Sequence, residues 1–149
     1  MILLSRRSML AIVAVLDVAL HARPHPVAAK VLAARHHLPP RHLETMLQAL
    51  VRAGILKGMR GPRGGYELAR DRRRISAGEI VRAAMASTGE DSEPPVPESE
   101  LVTRVVEPMV RGAGEVFLAA LDEITIDDLC REEEKTSAGE GKNTADFAI

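Results

Sequence analysis

Apolar residues recur at steps of three and four through the first 86 residues, the spacing that places them on one face of an α-helix. This pattern predicts four helices and a mainly α fold. The expected inward faces are, in chain order, Leu10, Val13, Leu16 and Leu20; Val27, Val31 and Leu32; Leu43, Met46, Leu47, Leu50 and Val51; and Ile80, Val81, Ala84 and Met85.

The second and third predicted helices are separated by a short break. The second runs from Val27 to Arg35, and the sequence His-His-Leu-Pro then ends it. The third begins at Pro40, since proline is favoured at the first helical position, and ends at Ala53-Gly54, where glycine suits the left-handed position. Two short helices joined in this way predict a helix-turn-helix.

A β-hairpin is expected directly after the third helix. Its strands are Ile55–Met59 and Tyr66–Ala69, and residues 60–65 form a loop with three glycines and two arginines. A loop that only reverses the chain does not need arginines at its tip. The first 86 residues therefore read as an α+β winged helix-turn-helix domain, whose last helix begins at about Ala77 behind a capping box.

The remainder of the chain divides into three parts. Residues 87–99 are rich in proline, glycine, serine and acids, which is typical of a linker. Residues 100–130 carry a long amphipathic pattern, which Pro108 should kink or divide, followed by a short terminal helix, and residues 131–149 are expected to be a disordered acidic tail. The apolar stripe exceeds what one small domain needs, so it predicts a homodimer interface that includes Val102, Val105, Val106, Met109, Val116, Phe117 and Leu121.

Charge separates the two halves of this chain. Residues 1–86 hold 15 Lys and Arg against 5 Asp and Glu, whereas residues 87–149 hold 5 against 16, so the net charge of -1 conceals +10 and -11. A basic domain joined to an acidic one indicates a part that faces nucleic acid and a part that stays away from it. A merely bipolar, solvated surface is the alternative.

Several classes of protein are excluded or disfavoured by composition and local sequence. Aromatic residues make up only 2% of the chain, and the single cysteine, Cys130, rules out internal disulfides and multi-cysteine metal sites. The five histidines lack the spacing of a metal site, and the sequence indicates neither a catalytic group nor a membrane span. Ser5-Arg6-Arg7 before an apolar run looks like a twin-arginine export signal, but Asp17 interrupts that run, which favours a packed helix and a cytoplasmic protein.

Four motifs in order give the chain a strong resemblance to the Rrf2 family of bacterial winged-helix transcription regulators. They are residues 16–20 (LDVAL), Leu43-Glu44, the loop residues 60–66 (RGPRGGY), and residues 124–129. The resemblance implies a homodimeric, sequence-specific DNA-binding protein, usually a repressor, whose sensing segment lies between the fourth helix and the long helix. Residues 86–98 contain no cysteine where cluster-binding members carry three, so this chain resembles a member without an iron–sulfur cluster or other cofactor. Its effector is unknown.

We expect the third helix to enter the major groove of an operator that is palindromic, while the loop enters the flanking minor groove. The candidate DNA contacts are Arg41, His42, Glu44 and Thr45 on the helix, Arg60, Arg63 and Gly64 in the loop, and Arg6 and Arg7 near the first helix. Some of these have an alternative reading. Glu44 suits a helix amino terminus, and the arginines of the loop and of the first helix are also compatible with ordinary solvated surface.

Two functions of other classes remain open from the sequence. A winged helix can serve as a protein-interaction or scaffold module, because a fold does not fix a function. Cys130 could act as a redox switch between subunits, although the acids around it should raise its pKa and so favour an inert thiol.

Overall fold

A computed structural model describes residues 4–87 and 98–145 of the chain. The predicted linker lies largely outside the described residues. The winged helix-turn-helix fold is confirmed. The elements are α1 (Arg6–His21), α2 (Ala29–His36), α3 (Pro40–Arg52), β1 (Leu56–Met59), β2 (Gly65–Leu68), a 3-10 turn (Arg72–Arg74), α4 (Ala77–Ala86), a π-helical stretch (Val102–Val106), α5 (Glu107–Asp122) and α6 (Ile126–Ala145).

Helix α1 lies at the centre of the head, the part of the molecule formed by residues 4–87 together with the start of α6. It packs against α3, α4, α6 and β2. The predicted inward face of α1 is wrong in part. Leu10 and Leu16 are half-buried against the core, but Leu20 is exposed. The fully buried apolar residues are instead Ala11, Ala14, Val15 and Val18. Because α1 is apolar on most of its surface, periodicity alone does not select the face, and the two alanines let neighbouring elements approach closely.

The helix-turn-helix follows the predicted pattern closely. Helix α3 buries Leu43, Met46, Leu47 and Leu50. It ends in a Schellman motif: Gly54 has φ +72°, its N–H donates to the Val51 carbonyl, and the Ile55 N–H donates to the Leu50 carbonyl. In α2, Leu32 is buried, but Val31, which was predicted to face inward, is 46% exposed.

The hairpin contains a two-stranded antiparallel sheet with Leu56 opposite Leu68 and Met59 opposite Gly65. Val27 extends this sheet by one bridge, because its N–H and carbonyl both pair with the backbone of Tyr66. A Cβ at Gly65 would collide with the Val27 carbonyl, so this close approach requires glycine. The hairpin is therefore tied to the segment that leads into α2.

The long amphipathic pattern forms one helical rod from Glu100 to Asp122, and Pro108 does not divide it. Instead the preceding turn widens into a π-helical stretch, Val102–Val106, which accommodates a residue that has no N–H to donate. The stripe on this rod is largely uncovered: Met109 is 72% exposed and Val116 73% exposed, while Val102, Phe117 and Leu121 are half-buried.

The carboxyl-terminal end of the rod is fixed to the head. Arg82 of α4 makes two hydrogen bonds to the Asp122 carboxylate, at 2.5 and 2.9 Å, which lower the pKa of that carboxyl below its usual range. Ser76 and Thr125 form a β-bridge next to this pair. The chain before α4 thus pairs with the chain before α6.

The predicted short terminal helix and disordered tail are wrong over most of their length, since α6 continues to Ala145. Thr125 and Asp128 form a reciprocal cap at its start, and Ile126 and Cys130 are buried in the head. Beyond that first turn the sequence is rich in glutamate, which is a good helix former, and an (i, i+3) pair joins Lys135 to Glu132. High polarity is typical of disorder, but these residues continue a helix that is already nucleated by packing.

Gly78 tests the attachment of the rod. A Cβ added at Gly78 would collide with the Asp122 carboxyl and backbone nitrogen. The Asp122 carboxyl has little room to move because Arg82 is hydrogen-bonded to it. We expect Gly78→Ala to reduce the free energy of unfolding by about 1–3 kcal/mol, measured by urea denaturation at fixed protein concentration. Gly139→Ala, on the exposed part of α6 with open space around it, should instead be neutral or stabilising by up to about 1 kcal/mol. Equal effects of the two changes would contradict this role of Gly78.

Candidate nucleic-acid interface

The amino-terminal part of α3 presents a row of exposed polar side chains. Arg41, His42, Glu44 and Thr45 are all exposed, while Leu43 between them is buried against the core. The Thr45 hydroxyl donates to the Arg41 carbonyl at 3.2 Å, whereas no hydrogen bond or ion pair engages the other three side chains within the described part of the chain. These groups are therefore free to meet base edges and phosphates.

A buried carboxylate holds α2 against α1 behind this row. Asp17 is 3% exposed, and its two oxygens bind Arg35 Nη1 and His36 Nε2, each at 2.6 Å. His21, one turn along α1, lies 3.4 Å from the same carboxylate through its Nδ1. The ion pair between Arg35 and Asp17 stands at the carboxyl end of α2, where positive charge is also favoured by the helix dipole. The turn that follows contains His37 in the left-handed conformation, at φ 52°.

The loop of the hairpin is a tight turn with two outward-facing arginines. The Gly64 N–H donates to the Gly61 carbonyl at 2.9 Å, and Gly61 has φ +119°, a conformation that disfavours other residues. A Cβ at Gly64 would collide with the Met59 carbonyl. Arg60 and Arg63 are exposed and make no ion pair among the described residues. The loop is thus a tight turn that carries two exposed arginines with no ion-pair partner among the described residues.

The two arginines at the start of α1 differ from each other. Arg6 is exposed. Arg7 is half-buried, its Nη2 donates to the Ser87 hydroxyl at 2.8 Å, and its Nε is buried without a partner among the described groups. Of the candidate contacts predicted from sequence, Arg7 is the one that the structure engages in internal packing.

The candidate redox residue is placed unfavourably for exchange with a second subunit. Cys130 is fully buried, and burial raises the pKa of its thiol above the usual value, with nearby Asp127 and Glu134 adding smaller effects in the same direction and Arg72 opposing them. The predicted direction is confirmed, but the main cause is burial rather than the acids. A buried thiol with a raised pKa is a poor nucleophile.

Sequence reasoning missed two sets of charged residues. Asp17 argues against a signal peptide and belongs to the motif at residues 16–20, but a single acid on an apolar helix face also often marks a buried ion pair. The second set is the arginine-rich segment 70–74 at the base of the hairpin. Its sequence signal, four arginines around one aspartate, was plain, but its placement depends on the fold.

An exposed polar recognition helix, an arginine-tipped hairpin and a basic head together define a winged helix-turn-helix DNA-binding protein. Comparison with known families makes this more specific. The Rrf2 family, described as "Iron-dependent Transcriptional regulator", matches residues 4–132, and this chain belongs to that family. Its members are DNA-binding transcription regulators and not enzymes. This protein is likewise a DNA-binding transcription regulator and not an enzyme.

Individual relatives support the same assignment. An HTH-type transcriptional regulator of Synechocystis sp., slr0846, is 34% identical over 144 residues, which cover 93% of this chain and 95% of the relative. IscR of Vibrio cholerae is 36% identical over 80 residues, which cover 54% of this chain and 46% of IscR.

Solved structures agree with the sequence relatives. That of T. potens IscR superimposes with a TM-score of 0.66 at 31% identity, covering 89% of both chains. CymR of B. subtilis superimposes with a TM-score of 0.64 at 25% identity, covering 89% of this chain and 98% of CymR.

Every helix within residues 4–87 and 98–145 is too short or too polar to span a lipid bilayer.

Neutralising Asp17 should loosen the support of the helix-turn-helix. We expect Asp17→Asn to lower the free energy of unfolding by about 2–3 kcal/mol, because Arg35 and His36 lose a buried, charged acceptor. Urea denaturation measures the change. Glu100→Gln removes an acid whose only described partner is the exposed Arg104, so it should alter stability by less than about 0.5 kcal/mol. A similarly small effect of Asp17→Asn would show that the buried carboxylate does not hold α2.

Proposed function

We propose that this protein is a homodimeric repressor that binds a palindromic operator. The observation that carries the proposal is the combination of a DNA-binding head with an apolar stripe along the rod. Val105, Val106, Met109, Val110 and Val116 are between 44% and 73% exposed, an arrangement that is unfavourable for a helix left in water. A second copy of the chain covers the stripe in this proposal, and a twofold dimer pairs with a twofold operator.

Recognition of the operator divides between the two grooves. Helix α3 enters the major groove with its amino terminus toward the bases, where Arg41 and His42 contact phosphates or purine acceptors and Glu44 accepts from a cytosine amino group. Thr45 reaches an adjacent base or phosphate. Arg60 and Arg63 enter the flanking minor groove, which is narrowest and most negative in A·T-rich sequence. Gly64 keeps the loop narrow, and Arg6 contacts the backbone.

The acidic half of the chain keeps the DNA on one side of the dimer. Residues 87–149 carry a net charge of -11 and repel the phosphate backbone, whereas residues 1–86 carry +10 and attract it. Repression follows from occupancy alone when the operator overlaps a promoter. We place this activity in the cytoplasm, where the DNA is.

The protein performs this function without an iron–sulfur cluster in our proposal, although its family is described as iron-dependent. Cluster irons are held by cysteine thiolates, the whole chain has one cysteine, and Cys130 is buried in the head. No group of three or more potential ligand side chains comes together within the described residues. The residues present therefore do not fit a cluster.

Selection of bound duplexes from a random pool tests the recognition scheme. The wild-type protein should recover inverted half-sites with A·T-rich flanks. Arg60→Ala/Arg63→Ala should lose the flank preference and bind about tenfold or more weakly, with a shallower dependence on salt, because two positive charges leave the interface.

The matched control for this double variant is Arg104→Ala/Lys135→Ala, which removes two exposed cations from the acidic half. It should bind with unchanged affinity and flank preference. An identical set of recovered sequences for Arg60→Ala/Arg63→Ala would reject the assignment of the loop to the minor groove. Recovered sites without inverted symmetry would reject the palindromic operator.

Charge placed on the stripe tests the dimer separately. Met109→Glu/Val116→Glu should shift the protein from dimer to monomer in sedimentation equilibrium, because burying two carboxylates without partners costs several kcal/mol. Val31→Glu changes an exposed valine of α2, outside the stripe, and should leave the dimer intact. A wild-type protein that sediments as a monomer would contradict the proposal.

A further inference from the structure

A second basic region lies at the base of the hairpin. Strand β2 runs from the loop at Gly65 back toward α1. The segment 70–73 follows it, at the end of the hairpin opposite to the arginine tip. Four residues of strand span about 13 Å, so the base and the tip of the hairpin are well separated. The basic groups here do not belong to the surface proposed to enter the minor groove.

This region is a groove of about 990 Å³ between three parts of the head. One wall is the end of α1 with the residues that follow it, another is β2 with the segment 70–73, and the third is the first part of α6. Five arginines line it, namely Arg23, Arg70, Arg72, Arg73 and Arg131, against three acids, Glu67, Asp71 and Asp127.

Two of the five arginines are neutralised by partners of their own. Arg73 donates to both oxygens of Asp71, and this pairing lowers the pKa of Asp71 to about 2. Arg70 binds Glu79 at 3.1 Å and two backbone carbonyls. The lining acid Glu67 is paired with Lys57 at 3.3 Å. Each of these three pairs is neutral, so together they add no net charge to the groove.

The remaining charges do not balance. Asp127 has a side chain that is only 6% exposed, and it binds Arg72 Nε at 2.8 Å and Arg131 Nη2 at 2.6 Å. Arg23 makes no hydrogen bond or ion pair within the part of the chain that the structure describes. Two guanidinium groups share the Asp127 carboxylate and the third, that of Arg23, is unpaired among the described residues, which leaves two positive charges on the groove.

The buried carboxylate also fixes the direction of these groups. Each guanidinium has five N–H donors, and Arg72 and Arg131 each bring only one nitrogen into the ion pair with Asp127. Their side chains are 43% and 64% exposed, so donors remain open toward the groove. A planar fork of donors held by a buried acid is well suited to a tetrahedral oxyanion.

We propose that this groove binds a small dianion, of the phosphate or phosphate-monoester class, between Arg23, Arg72 and Arg131. The ligand joins the end of α1, the 3-10 turn and α6. Its charge of about -2 matches the excess on the groove. The site does not depend on the proposed operator or dimer.

Calorimetric titration of the full-length protein with inorganic phosphate, at constant ionic strength, tests the site. Phosphate should bind saturably with one site per chain, and chloride at the same ionic strength should not replace it. Arg23→Gln/Arg131→Gln should weaken binding at least tenfold, because two of the three guanidinium groups are lost. A melting temperature that rises with phosphate in the wild type but not in this variant gives a second readout.

Arg60→Gln/Arg63→Gln is the matched control, since it removes the same charge from the loop tip and should keep the phosphate affinity. Absence of saturable binding by the wild type would overturn the proposal, and so would equal loss in the two double variants. The groove would instead be a contact for the DNA backbone if Arg23→Gln/Arg131→Gln lowered affinity for duplex DNA while phosphate did not bind. That result also rejects the small-ligand site, but it leaves the proposed regulator function intact.

Discussion

The position of the rod relative to the DNA-binding head depends on one short stretch of paired backbone. The Ala77 N–H donates to the Ile124 carbonyl, and the Ile126 N–H donates to the Ile75 carbonyl. Helices α4 and α6 both begin here, each with its own capping interaction, and Gly78 lets Asp122 approach within reach of Arg82. In a dimer held by the rod, this junction sets the separation and tilt of the two heads. In the proposed dimer, the match of the two heads to the two half-sites therefore depends on packing far from the DNA.

Periodicity was sufficient where a helix has one clear apolar face. Helix α3 alternates buried and exposed positions strongly, and its start at Pro40 and its end at Gly54 follow from residue chemistry. The same reasoning failed for the face of α1, which is apolar almost all round, so tertiary contacts decide which residues are buried. It also failed for α6, whose amino-terminal turn is buried in the head while the rest is polar.

The candidate site could be predicted in outline because exposed residues on a helix and a loop need little knowledge of the rest of the fold. The exposure of Arg41 and Arg60 follows from their elements alone. The partners of Asp17, the packing of Arg7 and the groove at the hairpin base could not be found in this way. Each joins residues far apart in sequence: Asp17 meets Arg35, Arg7 meets Ser87, and Arg72 meets Asp127. A single sequence does not reveal such pairs.

The bridge between Val27 and Tyr66 joins the hairpin to the chain that enters α2, and Asp17 holds the other end of α2. The recognition helix and the arginine-tipped loop are consequently carried by one stiff frame, and neither can adjust its reach without the other. In the proposed complex, such a frame fixes the distance along the duplex between the major-groove contact and the flanking minor-groove contact. Inserting a single base pair between those two elements of a half-site would therefore be more harmful than changing the identity of a base at either one.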